Sequence, residues 1–309
     1  MLVERAVWSA VPQRSEMKFA NMPGTKLHDL LNQPGPLIVP GAYDALSAKI
    51  AMRTGARCVY MTGFGVAGAA FGVPDIGLVS AAEMAERARA LASACGDVPL
   101  IADGDNGHGG PLNAARLTRA YEQAGASCIQ LEDQVFPKRC GHMENKEVVS
   151  KEEAAQKIRA AVEARSTPDF KVMARTDARA THGLDESLAR GEAFLNAGAD
   201  ILFIEAPRDE AELRKVAETF KGTPLVANIV EDGKTPLLPP DELLQIGFKI
   251  VLYPISTLLA VTRRLEDAYA ALIAGNRSHL DAHRARFAEY NAVVGLPEML
   301  ADAAKLADN

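Results

Sequence analysis

The chain has few cysteines, one tryptophan and no long apolar run. Its cysteines (Cys58, Cys95, Cys128 and Cys140) show no paired spacing. That excludes a disulfide scaffold and reads as reduced thiols of a cytoplasmic protein. The charge-free stretch nearest to a membrane span, Ile250 to Thr262, contains a Pro, a Ser and two Thr. It falls short of the ~20 apolar residues that a span needs. Glu4 and Arg5 interrupt the N-terminus before an apolar run develops, so no signal peptide is expected. Positive charge is also in deficit: 34 Lys+Arg against 40 Asp+Glu give a net charge of -6. An acidic surface is a poor match for nucleic acid or an anionic membrane. A small anionic ligand would need a site with its own local positive charge.

What is present is enough for one large domain. Hydrophobic residues at 48% and charged residues at 24% over 309 residues exclude disorder and collagen-like structure. Short runs rich in Val and Ile recur at Leu37–Gly41, Cys58–Gly63, Leu100–Asp105, Cys128–Asp133, Lys171–Thr176, Ile201–Ala206, Pro224–Val230 and Ile250–Ile255. They do not alternate cleanly between apolar and polar, which fits strands buried on both faces. Helical stretches lie between them, most clearly Ser80–Cys95, Pro111–Ala124, Ser150–Arg165 and Asp185–Ala197, each opening near a capping residue or a Pro. Gly55, Gly125, Gly198 and Gly247 recur three residues before a strand, as a left-handed helix end feeding a tight turn would require.

Eight alternating βα units predict a closed (β/α)8 barrel (the TIM barrel, an α/β fold) rather than an open doubly wound sheet. No GxGxxG follows the first strand; Gly63-Phe64-Gly65 is only a fragment of one. The expected organisation is an N-terminal arm over residues 1–24, holding Trp8, and a single barrel domain over 25–309 with a C-terminal helical extension that includes Leu280–Ala292.

In such a barrel the chemistry sits at the C-terminal ends of the strands. The polar residues there are Asp103 and Asp105 after strand three, Glu132 and Asp133 after strand four, Arg175 and Asp177 at strand five, Glu205 at strand six and Asn228 in strand seven, with Asp75 in the loop after strand two. Asp103, Asp105 and Glu132 are oxygen donors from adjacent strands, the ligand type that Mg²⁺ or Mn²⁺ takes. Asp103 and Asp105, as residues i and i+2, are expected on one side of a strand. Capping of the following helices is the plainer reading of any one of these acids. A second constellation, Lys138-Arg139-Cys140-Gly141-His142, lies in a polar loop after strand four. A thiol between two cations and near a His should ionise more easily and serve as acid, base or nucleophile. The plainer reading is a surface loop with an incidental thiol.

That loop resembles the signature of the lyase branch of the isocitrate lyase/phosphoenolpyruvate mutase superfamily. The resemblance extends through ADGDNGHGG (102–110), LEDQVFPKRCGHM (131–143), MARTDARAT (173–181), EAPRD (205–209) and NIVEDGKTP (228–236), and covers about residues 25–275. It implies a barrel that swaps a C-terminal helix between neighbours in a homotetramer. It implies Mg²⁺ (or Mn²⁺) held by Asp103 and Asp105, directly or through water, with Glu132 and Asp75 in support. Thr62, Gly63 and Phe64 match the backbone segment that binds the 2-oxo-acid carboxylate, and Arg175 the arginine that grips substrate carboxylate. Cys140 matches a general acid on a gating loop, with Gly141 and His142 beside it, and Tyr60, Glu205 and Asn228 match further site residues.

The implied activity is metal-dependent cleavage of a carbon–carbon bond in a small 2-hydroxy dicarboxylate, giving a 2-oxo acid such as pyruvate and a carboxylic acid. Four positions depart from the family pattern: Gln130 stands where isocitrate and methylisocitrate lyases carry a His, Asn106 where Thr is usual, Gly104 where Ala is usual, and Phe64 replaces a Gly. Gln130 cannot carry the charge of a His, which favours a 2-alkylmalate-like substrate over a tricarboxylate. The rival functions are an oxaloacetate hydrolase or decarboxylase, a 2-methylisocitrate lyase, a carboxyphosphonoenolpyruvate phosphonomutase, and a non-catalytic oligomeric scaffold.

Overall fold

The computed structural model describes residues 26–138, 147–278, 281 and 284–307. The arm over 1–24 with Trp8, and Arg139, Cys140, Gly141 and His142 of the loop, lie outside the described residues.

Eight parallel strands form the core: β1 Leu37–Ala42, β2 Val59–Met61, β3 Leu100–Asp103, β4 Cys128–Glu132, β5 Lys171–Thr176, β6 Ile201–Ile204, β7 Val226–Asn228 and β8 Ile250–Tyr253. They run in the order β6-β5-β4-β3-β2-β1-β8-β7, and a parallel bridge from Leu202 to Leu225 joins the two ends. The result is the expected (β/α)8 barrel. The helices begin where the sequence supplies caps. Ser80 and Glu83 form a reciprocal capping box ahead of Ala81–Cys95, Pro111 opens Pro111–Ala124, and Ser150 accepts from the Glu153 amide ahead of Lys151–Ala164. Each such cap is worth about 1 kcal/mol. Gly55, Gly125, Gly198 and Gly247 all take positive φ at the helix-to-strand turns.

Because side chains alternate along a strand, each strand feeds two layers. Val59, Met61, Leu100, Ala102, Ile129, Leu131, Val172, Ala174, Leu202 and Ile204 pack outward against the helices. Cys58, Ile101, Cys128, Met173, Ile201, Val226 and Ile250 fill the floor of the barrel, where Leu27 and Leu30 of the helix Leu27–Asn32 join them. Burial on both faces is why no clean alternation shows in the sequence. It also means that the next inward position up each strand stands one layer above a dry apolar floor. Those positions are Tyr60, Asp103, Gln130, Arg175, Phe203, Asn228 and Leu252.

Beyond β8 the chain continues as helices Ser256–Ile273, Phe287–Val294 and Leu296–Ala307. Of the expected helical stretch Leu280–Ala292, the described residues are helical at 281, break over 284–286 and are helical again from Phe287. The Glu289 carboxylate accepts from the Arg286 amide and fixes the start there. Neither of the last two helices buries a residue, and Phe287, Tyr290, Met299, Leu300 and Leu306 are exposed. Among the described residues no helix is long and apolar enough to cross a membrane.

Candidate active site

The inward positions and the loops above them enclose a cavity. Tyr60, Thr62, Phe64, Asp75, Asp103, Glu132, Lys138, Arg175, Phe203, Glu205, Asn228, Val230, Leu252, Pro254 and Ile255 line it. The charged groups come from the β2 to β6 side, and Val230, Leu252, Pro254 and Ile255 make the opposite wall apolar. Nine of the expected site residues, Asp75 among them, thus meet at one place with Lys138.

Asp103 is the hub of the acidic side. It ends β3 and is buried. Its Oδ2 accepts from the Gly63 amide at 3.1 Å, and its Oδ1 accepts from the Asp105 amide and from Gln130 Nε2, each at 3.1 Å. Tyr121 donates its hydroxyl to the Asp103 carbonyl at 2.6 Å. Burial, and then the neighbouring Asp105 charge, push the Asp103 carboxyl up to about 6.

Asp105 reaches the site by a different route from the one strand alternation suggests. β3 ends at Asp103, and Asp105 takes a left-handed conformation with φ 49°. Its carbonyl accepts from the Glu132 amide at 2.9 Å, so the turn stays tied to β4. The same close approach explains Gly104. A Cβ there would meet the Gln130 carbonyl at 2.7 Å, so this backbone has no room for the usual Ala. Asn106, the other departure in this turn, is structural: its side chain donates to the Gln134 carbonyl and accepts from the His108 amide.

Lys138, which the sequence reading placed only as a cation beside Cys140, lies in the site itself. Its side chain is buried, and its ammonium lies 2.6 Å from Asp105 Oδ1 and pairs with Asp75 as well. Burial works against its charge, but Asp105, Asp75, Glu132 and Asp103 outweigh that and hold it charged. One signal was available: a cluster of acids at one strand end needs a counter-charge, and Lys138 is the nearest cation in that loop.

Arg175 supplies the other positive charge. Its guanidinium is gripped at two points by Asp177, at 2.9 and 3.0 Å, and lies 3.1 Å from Glu205 and 3.4 Å from Glu132. It also stacks over Phe203 at 5.0 Å. Burial opposes its charge, and the three carboxylates more than compensate. Asp133 braces the arrangement from behind. It accepts from the Thr176 hydroxyl, the Asp177 amide and Arg190. Asn228 donates to Glu205 at 3.2 Å.

The segment after β2 is a short turn of helix, Gly63–Val66. Thr62 caps it by accepting from the Gly65 amide at 3.3 Å. The Gly63 amide is turned to Asp103, so in this segment Gly63 braces the acid cluster. His108 stands 3.6 Å from Asp105, and burial lowers its proton affinity.

The donor set suits a hard cation. Asp75, Asp103, Asp105 and Glu132 offer only carboxylate oxygen, and the buried Glu132 Oε1 lacks a hydrogen-bond partner among the described residues. Lys138 already occupies the cationic place between Asp75 and Asp105. Among the described residues no three carboxylates are drawn into a ready cage.

A family model described as phosphoenolpyruvate phosphomutase matches residues 27–273. The chain belongs to the phosphoenolpyruvate mutase/isocitrate lyase superfamily. It is 46% identical over 276 residues to a 2,3-dimethylmalate lyase of Eubacterium barkeri, covering 89% of this chain and 94% of that one. It is 41% identical over 265 residues to a 2-methylisocitrate lyase of Bacillus subtilis, covering 86% and 85%. Among solved structures, an oxaloacetate acetylhydrolase bound to the inhibitor 3,3-difluorooxalacetate superposes with a TM-score of 0.86 at 33% identity, over 92% of this chain and 97% of that one. The superfamily therefore accounts for the barrel, and its matched region spans every cavity-lining residue.

Proposed function

We propose that the protein is a metal-dependent carbon–carbon lyase acting on a 2-hydroxy dicarboxylate of the 2-alkylmalate type. The carrying observation is the two-sided cavity. One side holds Lys138, Arg175 and the acid cluster; the other holds Val230, Leu252, Pro254 and Ile255. A substrate with two carboxylates, a hydroxyl and a small alkyl group matches both sides. The identity to a 2,3-dimethylmalate lyase supports the same reading.

Asp103 and Asp105 would hold Mg²⁺ (or Mn²⁺), directly or through water, with Asp75 and Glu132 in support. When bound, the cation lowers the pKa of a substrate hydroxyl and stabilises the negative charge left on its oxygen. Arg175 grips one substrate carboxylate, its fork held in register by Asp177. The Thr62–Phe64 segment would orient the carboxylate of the nascent 2-oxo acid: the Thr62 amide donates to the Ala42 carbonyl and the Gly63 amide to Asp103, which leaves the Phe64 amide for the ligand. The substrate hydroxyl gives up its proton to water, the bond between C2 and C3 breaks in a retro-aldol sense, C2 becomes the carbonyl carbon, and the electron pair moves into the departing carboxylate fragment as an enediolate. Cys140, carried with Gly141 and His142 on the loop that starts beside Lys138, protonates that fragment. Tyr60, Glu205 and Asn228 complete the wall.

The exposed apolar faces of Ser256–Ile273 and the two helices after it support a homotetramer that covers them. Reduced thiols fit a cytoplasmic setting: Cys58, Cys95 and Cys128 are free and buried.

A panel of 2-alkylmalates, 2-methylisocitrate and oxaloacetate, each with Mg²⁺ and assayed for pyruvate, glyoxylate, acetate and oxalate, tests the reading. Fastest release of pyruvate from a 2-alkylmalate is expected. Comparable turnover of 2-methylisocitrate would sink the substrate assignment. The likeness to oxaloacetate acetylhydrolase supports a second reading, hydrolysis of oxaloacetate, which the panel would reveal as oxalate and acetate.

A further inference from the structure

Gln130 is the departure that the function above leaves without a role. It lies in β4 between Cys128 and Glu132, faces inward and is fully buried. Its side chain makes two hydrogen bonds, and their polarity is fixed. Asp103 Oδ1 belongs to a carboxylate, which only accepts, so the Gln130 group facing it at 3.1 Å is the donating Nε2. The other end of the amide is then the accepting Oε1. Tyr60 Oη stands 2.8 Å from it and must donate. The phenol hydrogen therefore points to the wall. Tyr60 lines the cavity, and what its oxygen keeps for a ligand is lone pairs. A phenol keeps its hydrogen at neutral pH.

We infer that Gln130 is a positioning residue that fixes Tyr60 as a hydrogen-bond acceptor toward the cavity, so that the site prefers 2-hydroxy acids over their 2-oxo counterparts. A 2-hydroxy acid brings an O–H that can donate to Tyr60; a 2-oxo acid sets a carbonyl against those lone pairs and gains nothing. The inference rests on the lyase reading in one respect: that reading makes the 2-hydroxy acid the substrate and the 2-oxo acid the product. The same device would help the enzyme release what it forms.

The test uses binding and is independent of turnover. Dissociation constants for lactate (both enantiomers) and pyruvate, a 2-hydroxy and 2-oxo pair that offers no bond for the lyase to cleave, are measured by calorimetry on Mg²⁺-loaded enzyme. Mg²⁺ affinity is measured first for each variant. Gln130→Leu frees the phenol to turn its hydrogen into the cavity, and should cut the lactate-to-pyruvate preference by about tenfold, the worth of one hydrogen bond. Tyr60→Phe should lose the same preference, and the double variant no more than either alone. Gln130→Glu still accepts from Tyr60 and should keep the preference, which a merely space-filling role for Gln130 would not require.

An unchanged ratio in Gln130→Leu overturns the inference, and so does an equal loss in Gln130→Glu. If Gln130→Leu does not fold, Tyr60→Phe and Gln130→Glu decide by the same criteria. Failure of the lyase reading would show separately, as no cleavage of any 2-alkylmalate by an enzyme whose binding ratio is intact.

Discussion

The Lys138 ammonium lies 2.6 Å from Asp105 Oδ1 and pairs at the same time with Asp75. One buried ammonium thus bridges two carboxylates of the proposed metal site and offsets one of their charges. A divalent cation bound there must compete with it or move it. Removing the charge in Lys138→Met should tighten Mg²⁺ binding by about tenfold or more, because two carboxylates then lack their resident cation. The metal-free variant should melt lower than wild type, since buried unpaired carboxylates are costly, and Mg²⁺ should restore most of the loss. Calorimetric titration and thermal melts check both. Weaker Mg²⁺ binding in Lys138→Met would show instead that Lys138 helps to build the site.

Arg175 and Asp177 form a two-point fork, and a fork is what Lys cannot reproduce. Arg175→Lys keeps the charge among Asp177, Glu205 and Glu132 but loses the planar grip. It should lower kcat/KM by about 100-fold while leaving the fold intact. Asp177→Asn should raise KM while lowering kcat less, because the guanidinium remains but is held less firmly. Steady-state kinetics with circular dichroism on each variant check this. Unchanged KM in both would remove Arg175 from substrate binding.

The raised carboxyls make a pH prediction. Asp103 sits at about 6 in the folded protein against an ordinary 3.8, so the folded state binds its proton more tightly than the unfolded chain does. In metal-free protein the penalty for this carboxylate is full above pH 6 and is relieved as pH falls from 6 toward 3.8. Asp75 and Glu132 are raised by burial too and carry the same sign. Mg²⁺ needs the carboxylates ionised, so its affinity should fall as pH drops through 6. Metal-free Asp103→Asn should outlast wild type in thermal melts at pH 8, and the gap should narrow as pH falls below 6 and close near pH 4. A gap independent of pH would contradict this.

Gly41 tests how tightly the mouth of the barrel is packed. A Cβ there would lie 2.1 Å from the Pro254 carbonyl, which is backbone and has nowhere to go. Gly41→Ala should push β1 away from the turn after β8 and cost about 3 kcal/mol or more in chemical denaturation. Pro254 lines the cavity, so substrate affinity should fall as well. A variant as stable as wild type would show that this contact relaxes freely.

Much of the site was legible because barrel strands follow a simple rule. Once the eight strands were placed, inward positions two residues apart led from floor to cavity: Cys58 to Tyr60, Ile101 to Asp103, Cys128 to Gln130 to Glu132, and Met173 to Arg175. Phe203 follows from the same count after Ile201 and could have been named. Asp105 was named for the wrong reason, since it lies beyond the strand at positive φ. Lys138 read as a neighbour of Cys140, because nothing local says that its long side chain folds back under two acids. Asp133 was noted only as one acid among several. Its service to Thr176, Asp177 and Arg190 joins groups far apart along the chain.

The sequence by itself determined the barrel, the place of its eight strands along the chain and the family. Those depend on local signals: apolar runs, caps, glycines at helix ends, and motifs whose residue order is printed in the chain. Only the tertiary structure decided which charges neutralise which. Lys138 goes to Asp75 and Asp105, Arg175 to Asp177, and Gln130 bridges Tyr60 and Asp103. Pairing depends on distance in space, and in a dry interior every buried charge must find its partner wherever the fold has placed it.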